Sequence, residues 1–281
     1  MSRIRTLETT DDFRAAEEVQ RRVWGFVDIE VVPLHTLLTA QKNGGLVLGA
    51  FAAPGGVRDE PAEMIGMLFG FLGRDQNGDV KHCSHLMGVV PEQHGRGVGQ
   101  ALKRYQRACV LGQGHRLITW TFDPLEPRNA HLNTNRLGGF CRRYLTNVYG
   151  EIRDDLNTGL PTDRFEVEWW IASPQVEARL GGEGAPGPSG PTVNRCTTED
   201  GMRVPLSWQQ RREPYLLVEI PPNIQVIKMR SPDTALAWRE HSRELFGYYF
   251  ARGYAVQAVH RLAAERSGDA ERVVYQLAVT L

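Results

Sequence analysis

Leu86 to Gln100 reads LMGVVPEQHGRGVGQ. An apolar run stops at Pro91, glycines follow at positions 95, 97 and 99, and a helical pattern begins near Gly97. A strand, a glycine-rich loop and a helix start in that order leave free backbone N–H groups at the positive end of a helix dipole. Glycine lets that backbone come close to a ligand. The stretch therefore reads as a phosphate cradle made mainly of main chain. Two familiar cradles do not fit. In the dinucleotide pattern GxGxxG, counting from Gly95 puts Gln100 at the last glycine, and counting from Gly97 puts Leu102 there. The ATP-type loop needs Gly-Lys-Ser/Thr, which does not follow.

Working outward, the flanks alternate between strand and helix periods. Ile4 to Leu7 reads as a short strand, and Thr9 or Thr10 as the cap of a helix with Asp11 and Asp12 in its first turn. Phe13, Ala16, Val19 and Val23 share a face at helical spacing. A second helix is expected over Pro33 to Lys42. Strands are expected over Leu46 to Ala53 and Ala62 to Leu72, joined by a Gly/Pro-rich turn. Asn77-Gly78 marks the next turn, before a strand Val80 to Val90. Gly97 to Leu111 reads as a helix, Arg116 to Phe122 as a strand, Asn129 to Tyr144 as a helix and Phe165 to Ile171 as a strand.

Leu180 to Asn194 (LGGEGAPGPSGPTVN) is nearly all glycine, proline and small residues. It has too little apolar surface to offset the entropy of ordering it. The expected organisation is a main domain over 1–173, a Gly/Pro-rich linker over 174–213 and a smaller αβ unit over 214–281. In the last, Tyr215 to Ile220 reads as a strand. Ser231-Pro232-Asp233 starts a helix that Gly253 ends. Tyr254 to Leu262 and Val273 to Val279 read as a hairpin. The expected fold class is α/β (α+β), a mixed and mostly antiparallel central sheet flanked by helices, with that αβ subdomain appended.

Composition narrows the function. Lysine plus arginine and aspartate plus glutamate each number 33 among 281 residues, so the formal net charge is zero. Nucleic-acid binders draw most of their affinity from a basic excess, so nucleic acid is not expected as a partner. Apolar stretches such as Met64 to Leu72 fall far short of the roughly 18 residues that span a bilayer, so no membrane partner is expected. No apolar leader follows Met1, and the four cysteines (Cys83, Cys109, Cys141, Cys196) form no CxxC pair. The expectation is a cytoplasmic protein without a disulfide framework. His82, Cys83 and His85 are close in sequence, but alternation on a strand sends the two histidines to opposite faces, so no metal is expected there.

The pattern Val89, a spacer, Pro91, two residues, His94, then Gly95-Arg96-Gly97-Val98-Gly99 resembles the acetyl-CoA loop of the GNAT N-acetyltransferases. His94 stands where that family has Arg or Gln. The element order over the first 171 residues is also similar to that family, although the sharp motif is confined to residues 87 to 100. The resemblance implies an N-acyltransferase that moves an acetyl group from acetyl-CoA to an amine by direct attack in a ternary complex. It implies that two parallel strands splay to admit pantetheine. Met87, Gly88 and Val89 would bond its amides through their backbone. Gly95, Arg96, Gly97, Val98, Gly99 and Gln100 would hold the pyrophosphate, with Arg96 adding a side-chain contact. The following helix usually offers an Asn, which points to Asn129 or Asn133; the other reading of this pair is a polar helix face.

Aminolysis of a thioester needs a base for the amine and an acid for the thiolate. The family often places a tyrosine five residues before the Phe of a Leu-Gly-Phe signature. Counting back from Phe140 gives Asn135, or Thr134 without the extra glycine. Tyr144 and Tyr149 are the downstream substitutes, with a buried tyrosine as the plainer reading. His85 is a base candidate because an imidazole near its free pKa suits neutral pH. It is expected on one strand face with Met87 and Val89, at a place similar to the catalytic histidine of serotonin-type N-acetyltransferases. Asp123 is the second base candidate; its plain reading is an Asp-Pro turn. The expected acceptor is a small-molecule amine, a peptide N-terminus or a lysine. Two alternatives remain: a GNAT fold that binds acyl-CoA in a sensing role without turnover, and a C-terminal part that makes a homodimer.

Overall fold

A computed structural model describes residues 2–52, 63–150, 159–263 and 271–280. The chain forms two compact units, Met1–Trp120 with Trp170–Ala172, and Thr121–Trp169 with Ser173–Leu281.

The first unit opens with β1 (Arg3–Thr6) and α1 (Thr10–Trp24). Thr9 caps α1: its hydroxyl accepts from the Asp12 N–H while the Asp12 carboxylate accepts from the Thr9 N–H. Both arms of the Arg5 guanidinium donate to Asp12 at 2.7 Å. That pairing, against the cost of burial, holds the Asp12 carboxyl far below the usual carboxylate range. Next come α2 (Leu34–Lys42), β2 (Leu46–Phe51), β3 (Met64–Arg74), β4 (Val80–Val89), α3 (Val98–Gly112) and β5 (Leu117–Phe122). The turn expected between β2 and β3 lies outside the described residues.

Strands β1 to β4 are antiparallel neighbours, and β4 and β5 are parallel. Period-two alternation divides the strand residues between two cores. Val47, Met67 and Phe69 pack with Phe13, Ala16, Val19 and Leu37 from α1 and α2. Leu46, Leu48, Ala50 and Leu68 pack with Val98 and Leu102 of α3. Each such side chain contributes roughly 1.5–3 kcal/mol when fully buried. Helices thus cover both faces of this sheet, as the pattern predicts.

The second unit contains α4 (Pro127–Ala130), a π turn over His131–Arg136, β6 (Phe140–Leu145), β7 (Arg164–Trp170), α5 (Pro174–Leu180) and a hairpin of β8 (Asn194–Glu199) and β9 (Met202–Trp208). It continues with β10 (Tyr215–Ile220), α6 (Ile224–Arg230), α7 (Pro232–Phe250), β11 (Tyr254–Leu262) and β12 (Arg272–Val279). Its sheet order is β7-β6-β11-β12-β10, antiparallel throughout. Phe165 is central to the core, with its ring 4.8 Å from Phe246 and 5.6 Å from Tyr275. The Ser231 cap on α7 forms as predicted, its hydroxyl accepting from the Thr234 N–H.

Three expectations differ from what is seen. The helix over Asn129 to Tyr144 stops early, because Gly138 turns left-handed (φ 76°) and accepts no continuation. A Cβ on Gly139 would lie 2.7 Å from Val167, so β6 can approach β7 only with glycine there. Secondly, the segment 174–213 carries α5 at its start and the β8–β9 hairpin near its end. Asp200 (φ 47°) and Gly201 (φ 72°) make its two-residue turn, the geometry an Asp-Gly pair favours. Thirdly, the division between units falls at Trp120–Thr121 rather than at 173. Residues after 120 belong with the C-terminal part because β6 pairs with both β7 and β11. The Asn135 amide also bonds both the N–H and C=O of Val259 at 2.9 Å.

Candidate functional site

In the first unit, β3 and β4 pair from Arg74↔Val80 to Gly66↔Val89, with a slip between Phe69 and Gly70. Phe69 faces Leu86 and Gly70 faces Ser84, so His85 is the extra residue of a bulge. The parallel β4–β5 ladder consists of His82↔Ile118 and Cys83↔Thr119 alone. Beyond the bulge, the β5-side edge of Leu86 to Val89 carries no strand pairing among the described residues. Two parallel strands that pair briefly and then part leave a cleft lined on one wall by unpaired main chain. Such groups need a partner, because backbone donors and acceptors are costly to leave bare.

The loop continues that wall. Val90 N–H donates to Ile65, Pro91–Gln93 make one 3-10 turn, and the His94 Nε2–H donates to the Val89 carbonyl at 2.8 Å. His94 therefore ties the loop back to the strand end. Gly95 (φ 76°) and Gly97 (φ 79°) are left-handed, and an added Cβ at either would meet nothing within 4 Å. These glycines are set by backbone conformation, and an L side chain there costs about 1–2 kcal/mol. Gly97 is the residue before α3, and no side chain caps the helix. Val98 is buried and anchors the first turn, whereas Arg96 is exposed. Gly88 has a different reason to be glycine: a Cβ would lie 2.8 Å from both Trp24 and Val23 at the end of α1. Sequence reading gave Gly88 no packing role, since Trp24 is distant in the chain.

The bulge moves His85. Met87 and Val89 pack on the α3 side, while Leu86 packs on the α1–α2 side. The His85 ring lies 5.7 Å from Phe69 and 5.8 Å from Phe71, and Phe69 belongs to the α1–α2 core. His85 is therefore not on the face of Met87 and Val89, because the inserted residue breaks the alternation. The residue is exposed, yet the flanking rings desolvate its imidazole and lower its pKa. At neutral pH the ring is uncharged and able to accept a proton.

The other acid–base candidates lie in the second unit, and each already has a partner. Asp123 takes both arms of Arg239 at 2.9 and 2.5 Å, and Arg239 is 1% exposed. The Leu125 N–H also donates to Asp123. A carboxylate so held is a poor general base, so the expected role of Asp123 as a base is not supported. Tyr144 donates to Asp163 at 2.8 Å. Burial first, and the neighbouring Asp163 carboxylate second, push its phenol up, which makes it a weak acid. Burial pushes Asp163 up, but Arg243, the Asn147 N–H and Tyr144 outweigh it and leave the carboxyl below its ordinary value. Arg243 grips Asp163 at 2.9 and 3.0 Å. Tyr149 is exposed, with its hydroxyl 3.0 Å from Thr121.

Asn129 is exposed, while Asn133 is 4% exposed and its carbonyl accepts from the Gly139 N–H. The four-residue spacing that would align them is lost where the helix widens into its π turn. Arg239 and Arg243 were missed in the sequence. Their spacing on one helix face was visible, but their partners lie 116 and 80 residues away.

No protein-family profile and no curated protein sequence matches the chain. Solved structures do match in part. The ribosomal-protein-S18-alanine N-acetyltransferase of Escherichia coli is 18% identical, with a TM-score of 0.44 over 62% of this chain and 96% of its own. A GNAT-family acetyltransferase from Streptococcus pneumoniae is 14% identical, with a TM-score of 0.45 over 60% and 98%. NAA60 of Arabidopsis thaliana, solved in complex with acetyl-CoA, is 15% identical, with a TM-score of 0.46 over 62% and 100%.

Proposed function

We propose that the chain is an acyl-CoA-dependent N-acyltransferase of the GNAT type. The observation that carries this reading is the unpaired β4 edge at Leu86 to Val89, which runs directly into the left-handed glycines and uncapped start of α3. A strand edge suits the two amides of pantetheine, and a helix start suits a pyrophosphate. The residues present fit that ligand. Met87, Gly88 and Val89 would hold its amides. Gly95 to Gln100 would hold its phosphates, with the exposed Arg96 guanidinium beside them. Acetyl-CoA would supply the activated thioester, and the acceptor would be an amine. Asn129 remains a candidate contact, since its side chain is exposed; the buried Asn133 is a weaker one.

His85 is the proposed base. Its imidazole is neutral at physiological pH and can take the amine proton; Asp123 and Tyr144 are committed to other partners. A second reading, a CoA-binding module without turnover, draws on that same commitment. One assay separates them: CoA thiol release from acetyl-CoA with a panel of small amines, peptide N-termini and lysine peptides. Amine-dependent release, reduced about 10²–10⁴-fold in His85→Ala, is the expected result. CoA binding with no release from any amine supports the module, and no CoA binding overturns both.

A further inference from the structure

A polar cluster is buried in the first unit between β4 and α3, away from the loop. Lys103 is 1% exposed, and among the described residues no carboxylate pairs with it. Its Nζ donates to Ser84 Oγ at 2.8 Å and to Gln106 Oε1 at 3.2 Å, and it lies 3.6 Å from the centre of the Trp120 ring. Ser84 also donates to Gln106 Oε1, at 3.3 Å. His82, wholly buried, lies two residues before Ser84 and so on the same strand face. Three polar atoms here have no partner: both ring nitrogens of His82 and Nε2 of Gln106. The unpartnered atoms include donors and an acceptor: the Gln106 amide N–H groups, and one N–H and one bare nitrogen of the His82 ring. Burial moves the Lys103 amine well below its ordinary pKa, and burial, then Lys103 and His115, take His82 down to about 4. Burial disfavours the charged form of both groups, which biases Lys103 towards the nucleophilic amine and keeps a bare ring nitrogen of His82 in the same buried cluster.

We propose that Lys103 is a carboxylation site, where its Nζ combines with carbon dioxide to form a carbamate. The Nζ lone pair forms the C–N bond, and one C=O electron pair moves onto oxygen. The proton leaving nitrogen passes to the unpartnered ring nitrogen of His82. Amine, imidazole and carbon dioxide become carbamate and imidazolium, and no other reactant is needed. The new oxygens accept from Gln106 Nε2 and from the His82 imidazolium, which gives these unpartnered groups a partner. Carbon dioxide is small and uncharged, so it reaches a closed interior that excludes larger reagents. Neither acetyl-CoA nor the proposed acyl transfer takes part.

Carbon NMR of the full chain equilibrated with ¹³C-bicarbonate tests this. The expected spectrum has a slowly exchanging carbamate resonance that disappears in Lys103→Met, of similar volume, and weakens in Gln106→Leu. Carbamate at the N-terminal amine would persist in both variants. The proposal is overturned if wild-type protein shows no resonance sensitive to Lys103. Should Lys103→Met fail to fold, O-alkylation of the wild-type carbamate followed by peptide mass mapping decides. Added carboxyl on the peptide containing Lys103 supports the site, and its absence there refutes it.

Discussion

The cleft beside β4 and the ion-paired cluster around Asp123 are built from opposite materials. The cleft is main chain: an unpaired strand edge, two left-handed glycines and an uncapped helix start. The cluster is side chain: Asp123 on Arg239, Asp163 on Arg243, and Tyr144 on Asp163. Main-chain sites are written in glycine, proline and strand period, which are local signals. Side-chain sites depend on partners that the fold delivers from far along the chain. The first kind serves ligand binding without titrating. The second, once every charge is matched, serves stability better than proton transfer.

The largest expected effect tests the structural role of the cluster. Arg239→Met strips Asp123 of its two short bonds and leaves it half-buried, with Arg164 at 3.8 Å as its remaining ion pair. That costs about 3 kcal/mol, the lower end for a broken buried pair. Replacing both residues with apolar or amide partners recovers much of that loss. Urea unfolding of the single and double variants measures it. If Arg239→Met loses less than about 1 kcal/mol, the pair is not what holds this region, and Asp123 returns as a candidate base.

A middle-sized effect sharpens the contrast between distant and local pairing. Arg5 and Asp12 are only seven residues apart, and the folded-state pKa of Asp12 is depressed. Its stabilisation is thus fully present above the unfolded pKa of about 3.9 and is lost as pH falls through the lower folded value. Between pH 6 and pH 3, the wild type should lose about 1–2 kcal/mol more than Asp12→Asn, after allowing for solvent at Arg5. Equal losses would mean that the pair adds nothing.

The smallest effect concerns His94. Removing its bond to the Val89 carbonyl in His94→Ala costs about 0.5–1.5 kcal/mol. Calorimetry should show CoA affinity falling about two- to tenfold, with the thermal midpoint lowered by only a few degrees. No change in affinity would show that the tie does not order the loop.

The same contrast explains what was legible. Residues 86–100 announced their strand, loop and helix because Pro91, Gly95 and Gly97 each fix backbone. Thr9 and Ser231 marked helix starts, whereas α7 stops at Phe250 and Gly253 makes the left-handed turn beyond it. His85 was placed on the wrong face because a bulge is invisible in a period-two pattern. Tyr144 was read inside a helix that ran through Gly138 and Gly139, and the break lies in the αL turn at Gly138. The β8–β9 hairpin was hidden by the composition of its neighbours, although Asp200-Gly201 was a usable signal. For Asp123 and Asp163, no local feature named Arg239 and Arg243 as partners.

The central claim is that CoA lies along the unpaired β4 edge and over the start of α3. Amide NMR of the full chain during titration with CoA tests it most directly. The account predicts that the largest shifts fall on the N–H groups of Met87 to Val89 and Gly95 to Gln100, and that those shifts vanish in Gly97→Val. Saturable binding that leaves these amides unmoved, or no binding at all, would contradict it.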